Sequence, residues 1–99
     1  PEGRIFIDDG AKEALLKKGK SLLPVGILKV EGEFYKGDTV SICDKFGKEI
    51  GRGITNYDSL DLEKIIGRNS DEVKAILGEN SYEEVIHRNN LAVLDEILK

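Results

Sequence analysis

The chain has 99 residues, 39% of them hydrophobic and 34% charged, with a formal net charge of −4. That length supports one core and excludes two independent ones, and no apolar run approaches the ~20 residues needed to cross a bilayer. The acidic balance argues against a general nucleic-acid binder, which carries a net basic surface.

A single cysteine, Cys43, excludes an internal disulfide and fits a reducing cytoplasm. The N-terminus lacks the charged-then-apolar layout of a secretory signal. With no methionine and Pro1 first, the sequence is expected to be a piece of a longer chain or a processed product.

Arg4-Ile5-Phe6-Ile7-Asp8 alternates as a strand, with Ile5 and Ile7 on one face and Phe6 on the other. Asp9 is placed to cap a helix over Ala11 to Lys18, with Ala11, Ala14 and Leu15 sharing a face and Glu13 spaced to pair with Lys17. The lysines of its last turn suit the helix dipole, and Gly19 supplies a left-handed exit. Leu22 to Val30 reads as a strand interrupted by Pro24, which cannot donate to a ladder. Phe34 to Asp38 reads as a turn. Thr39 to Cys43 follows as a strand with Val40 and Ile42 inward, then a hairpin turn over Asp44 to Gly47 and a return strand from Glu49 to Tyr57. In that return strand Ile50 and Ile54 are expected on one face and Gly51 and Gly53 on the other. Two alternate glycines suggest a bend or another backbone lying close.

Asp58 and Ser59 open a short helix to about Ile66, stopped by Gly67. Ser70 is expected to cap a second helix carrying Val73, Ile76 and Leu77 and ending at Gly78. Ser81 and Glu84 match a capping box, which predicts one more helical turn through Ile86. Leu91 to Leu94 closes as a strand, or opens a helix reaching Leu98. The order is that of an α+β fold, mostly β and mainly antiparallel, for which a small barrel is the best fit.

Chemistry-bearing residues are sparse. His87 is the only histidine, and with Cys43 it is too little for a zinc set, so no metal site is expected. Cys43 reads as a plain sheet thiol and His87 as a hydrogen-bonded or surface residue rather than a general base. The glycines at 47, 51 and 53 lack the following helix of a nucleotide loop. Asp8-Asp9 and Glu83-Glu84 read as helix caps or first-turn charges. Phe6, Phe34 and Phe46 read as core or turn plugs, and Tyr35, Tyr57 and Tyr82 more as core than as stacking platforms. No catalytic residue emerges. One local asymmetry stands out. Between Lys12 and Lys29, five lysines (Lys12, Lys17, Lys18, Lys20, Lys29) stand against Glu13 alone, a basic edge on an acidic body.

Phe34-x-x-Gly37-Asp38-x-Val40 followed by Asp44-x-x-Gly47-x-x-Ile50-x-Arg52-Gly53 resembles the central hairpin of the PUA domain family, an RNA-binding module. Four further stretches resemble, in order, the C-terminal PUA domain of the bacterial glutamate 5-kinase family. They are Ser21 to Gly26, Gly53 to Tyr57, Ile66-Gly67-Arg68-x-Ser70-x-Glu72-Val73, and Val85-Ile86-His87-Arg88-x-Asn90-Leu91.

The resemblance covers about Gly3 to Leu94 and makes the whole chain, 1–99, a single PUA domain. It implies a pseudo-barrel of about six mixed strands with small peripheral helices. It also implies an amino-acid kinase domain upstream in the same polypeptide. That domain would carry the ATP, Mg²⁺ and glutamate chemistry of the first step of proline synthesis, leaving no cofactor to this chain, and its parent enzyme would be a homo-oligomer. Two roles follow from the resemblance. One is a regulatory or assembly domain acting on the kinase. The other is an RNA-binding module whose contacts, carried over from the family, are Lys18, Gly19, Lys20, Ser21, Pro24 and Val25, with His87 and Arg88 nearby.

Overall fold

A computed structural model describes residues 1–94. Five strands form one sheet in the order β2-β1-β3-β4-β5: β1 (Arg4–Ile7), β2 (Ile27–Glu31), β3 (Thr39–Cys43), β4 (Glu49–Ile54) and β5 (Leu91–Val93). β1 runs parallel to β3, and every other pairing is antiparallel. A single antiparallel bridge between Leu22 and Ile86 adds a short ribbon outside the named strands. The mixed α+β architecture agrees with the sequence reading, with five strands and this ribbon where about six strands are expected. The alternative of a helix toward Leu98 falls partly on 95–99, outside the described residues; Leu91–Val93 is strand.

Ile5, Ile7, Val40 and Ile42 are fully buried and meet Leu15, Leu22, Phe34, Leu62, Ile65, Val85 and Ile86 in one cluster. Phe6 points to the opposite face, where the Arg4 guanidinium and the Lys29 ammonium lie 4.8 and 4.5 Å from its ring centroid. The long cationic stems shield a ring that would otherwise be wet, and each contact adds cation–π attraction.

Local chemistry moves several boundaries. Helix α1 (Asp9–Lys18) starts at Asp9 because Asp8 is its cap, with Asp8 Oδ1 accepting from Ala11 N at 2.8 Å. No Glu13–Lys17 pair closes among the described residues. The ion pairs of α1 reach the β3–β4 turn instead, Lys12–Asp44 at 3.4 Å and Asp9–Lys45 at 2.9 Å. Helix α2 (Ser59–Ile65) is capped by Asp58. In helix α3 (Ser70–Leu77) the cap is Asn69, not Ser70. Its side chain accepts from Glu72 N while Glu72 accepts from Asn69 N, a complete capping box.

The helical turn expected over Ser81 to Ile86 is absent. Val85 N donates to Leu22 O at 2.8 Å, Asn56 N donates to Val85 O at 2.8 Å, and Tyr57 Oη donates to Tyr82 O. Those tertiary partners engage the carbonyls and amides that a helix needs. Glu83 and Glu84 therefore cap nothing.

Strand β4 departs from simple alternation. Ile42 pairs with Gly51 and Cys43 with Glu49, which leaves Ile50 as the extra residue of a bulge. Ile50 is buried by the bulge, whereas Ile54 is 43% exposed. Gly51 and Gly53 face the core. A Cβ on Gly53 would lie 2.6 Å from Ile86 Cγ2, and one on Gly51 2.7 Å from Ala92 O, so both glycines admit a close neighbour, as the sequence suggests. Three aromatics depart from the sequence reading: Tyr35 and Tyr82 are exposed rather than core, and so is Phe46. Phe46 is 84% exposed on the hairpin turn and plugs nothing.

Candidate functional site: a groove beside the Leu22–Ile86 ribbon

The groove begins where α1 ends. Gly19 takes the left-handed conformation (φ 59°), and the amides of Gly19 and Lys20 both return to Ala14 O. The chain then runs extended to Leu22, whose amide donates to Ile86 O at 2.9 Å. Pro24 to Gly26 form one 3₁₀ turn, with proline supplying the fixed φ at its start. Gly26 lies against α1, where a Cβ would stand 2.5 Å from Ala11 Cβ, and its carbonyl accepts from Asp8 N at 2.9 Å. The facing segment, Glu83 to Arg88, is fastened by the ribbon and by Arg88 N donating to Ser21 Oγ at 2.8 Å.

Between α1 and this ribbon lies an open groove of about 680 Å³. Gly10, Ala11 and Ala14 give it a low floor, Leu23 and Val25 an apolar rim, and Lys20, Arg88, Glu83 and Glu84 its charged side chains. A smaller hollow of about 210 Å³ adjoins it past Leu23, Val25 and Glu83, toward the start of α3.

Of the eight residues singled out from sequence, Lys20, Ser21, Val25, His87 and Arg88 line the groove together. Pro24 is buried and borders the smaller hollow. Gly19 is the cap of α1, and Lys18 is exposed at the helix end, clear of the groove. His87 is occupied locally, its Nδ1 accepting from Asn89 N at 3.1 Å to cap the turn Arg88–Asn90. The groove also holds residues that sequence reasoning left out, namely Leu23, Asp8, Glu83, Glu84 and the small residues of α1. Leu23 carried a signal, since it stands within the Ser21 to Gly26 motif. The two glutamates were hidden by their apparent role at a helix start.

Among the described residues no group of three or more His, Cys, Asp or Glu side chains is arranged to hold a metal. Asp8 is committed to its cap. What the groove offers is recognition, from an apolar rim with both signs of charge.

A model of the PUA domain family matches residues 3–77. Glutamate 5-kinases of Dictyoglomus thermophilum and Dictyoglomus turgidum are 70% and 74% identical over 95 and 93 residues. These matches cover 96% and 94% of this chain but 26% and 25% of those proteins, so the chain spans about a quarter of the length of the curated relatives it matches. Among solved structures, a PUA domain from Aeropyrum pernix in a tartrate complex superposes with a TM-score of 0.61 at 27% identity, covering 90% of this chain and 45% of that one. A chain of an archaeal box H/ACA sRNP complex superposes at 0.58 with 21% identity, covering 93% of this chain and 23% of that one, which is a likeness of fold.

Proposed function

Because the chain belongs to the PUA domain family, we propose that it is the non-catalytic PUA module of a glutamate 5-kinase, a regulatory and assembly domain that meets protein through the groove. The high identity over nearly the whole chain supports the assignment, and the remaining three quarters of those relatives leaves room for an amino-acid kinase domain in the same polypeptide. ATP, Mg²⁺ and glutamate would be handled there, in a cytoplasmic homo-oligomer.

The observation that carries the protein-contact reading is the mixed character of the groove. Leu23 and Val25 are 41% and 55% exposed, and carboxylates share the walls with cations. An exposed apolar rim with both signs of charge beside it suits a protein contact, whereas carboxylates on the wall repel a phosphate backbone. In the full-length kinase, for which the family resemblance implies feedback inhibition by proline, Leu23→Ser with Val25→Ser is expected to shift the particle mass or the proline-inhibition curve. An unchanged mass together with an unchanged curve removes the reading.

RNA is the second reading, and it has its own observation. Lys20 and Arg88 line the groove and Lys17 and Lys18 close the last turn of α1, and none of the four is in an ion pair among the described residues. Three or four phosphate contacts would give a log–log salt slope of about −2 to −4. Binding of structured RNA that vanishes in Lys18→Glu with Lys20→Glu would establish it, and no binding at low salt would dismiss it.

A further inference from the structure

The bridge sets Leu22 opposite Ile86. With Leu22 opposite Ile86, Lys20 and Arg88 fall at one end, which the Arg88–Ser21 hydrogen bond reinforces. At the other end Val25 and Glu83 border both hollows, with Glu84 next in sequence. Four residues of chain separate Glu84 from Arg88, at most about 13 Å, with the chain bending at Val85. The ribbon therefore runs from a basic end, past the exposed Leu23 and Val25, to an acidic end. Among the described residues none of these four charges is neutralised by an ion pair.

That order restricts the partner. A polyanion would meet Glu83 and Glu84. A surface with the opposite charge order fits, and the same ribbon turned through a two-fold axis has that order by symmetry. We infer that this ribbon docks a second copy of the chain. Lys20 and Arg88 of each copy face Glu83 and Glu84 of the other, and Leu23 and Val25 pack across the axis. The inference rests on the reading that the groove meets protein, and it names the partner.

Sedimentation equilibrium of the 99-residue chain at low salt tests it. The mass is expected to rise toward two copies with concentration. Lys20→Glu with Arg88→Glu makes both ends acidic, and Glu83→Lys with Glu84→Lys makes both basic. Each variant alone is expected to self-associate at least about tenfold more weakly, and an equimolar mixture of the two to recover a mixed pair. Lys20, Glu83 and Arg88 are exposed and Glu84 is half-buried, and circular dichroism checks that each variant folds before its mass is compared. A chain of single-copy mass at every concentration overturns the inference, as do variants that pair like the parent or a mixture that stays unpaired. Single-copy mass combined with an effect of Leu23→Ser and Val25→Ser on the full-length kinase overturns the second copy while leaving the protein-contact reading intact.

Discussion

At the scale of single residues, Asp44 shows how one carboxylate organises a turn. It is buried and accepts from Phe46 N at 2.9 Å, Lys48 N at 3.0 Å and Lys12 Nζ at 3.4 Å. Burial pushes its pKa up, but the two amides and the lysine outweigh that and hold it below the ordinary value. Glu49 is also lowered, by the Arg52 guanidinium and then the Ser41 hydroxyl, as is Glu72, by Asn69 N–H and then Arg68. A carboxylate depressed in the folded state adds stability above its unfolded pKa and loses it as pH falls through the folded one. The melting temperature is therefore expected to hold down to about pH 5 and to fall below about pH 4. Asp44→Asn should shallow that fall, and Asp44→Ala, which strands two amides, should cost about 1–3 kcal/mol in urea titrations at neutral pH. Gly53 carries a second residue-scale prediction. Gly53→Ala would drive a Cβ into Ile86 and Asn90 O, with an expected cost of about 1–3 kcal/mol and earlier amide exchange in β5.

At the scale of elements, what could be read from sequence depended on whether an element closes on itself. Strand β3 is found where its alternation puts it, because Val40 and Ile42 need only a core beneath them. Helix α1 is found one turn-start early, since Asp8 and Asp9 are both capable caps and geometry chooses between them. The Asn69 cap was overlooked for Ser70 on the same grounds. Asn69→Ala is expected to lower stability by about 0.5–2 kcal/mol, and Ser70→Ala much less, when both are melted side by side. The missing turn at Ser81 is a different failure. Its box is locally sound, but Leu22, Asn56 and Tyr57 take its backbone groups, and none of those partners is near in sequence. The groove shares that fate. Its basic half was visible as a run of lysines, while Glu83 and Glu84 became part of it only through the ribbon.

At the scale of the molecule, the sheet and all three helices contribute to a single buried cluster, so no subunit of the fold holds a core of its own. Unfolding should be one transition, with far- and near-ultraviolet circular dichroism coinciding. Leu22 belongs to that cluster and also to the ribbon, so Leu22→Ala should cost about 2–5 kcal/mol and loosen the groove with it, read as faster exchange at the Val85 amide. The ribbon also orders events in time. The β3–β4 hairpin closes over Asp44 to Lys48, five residues, whereas the Arg88–Ser21 bond joins positions 67 apart in sequence. Closing so long a loop is entropically the harder step, which makes the groove the last part of the barrel to assemble in refolding and the first to open in native exchange. Under the proposed function, a partner of this groove would meet it only on domains that have finished folding.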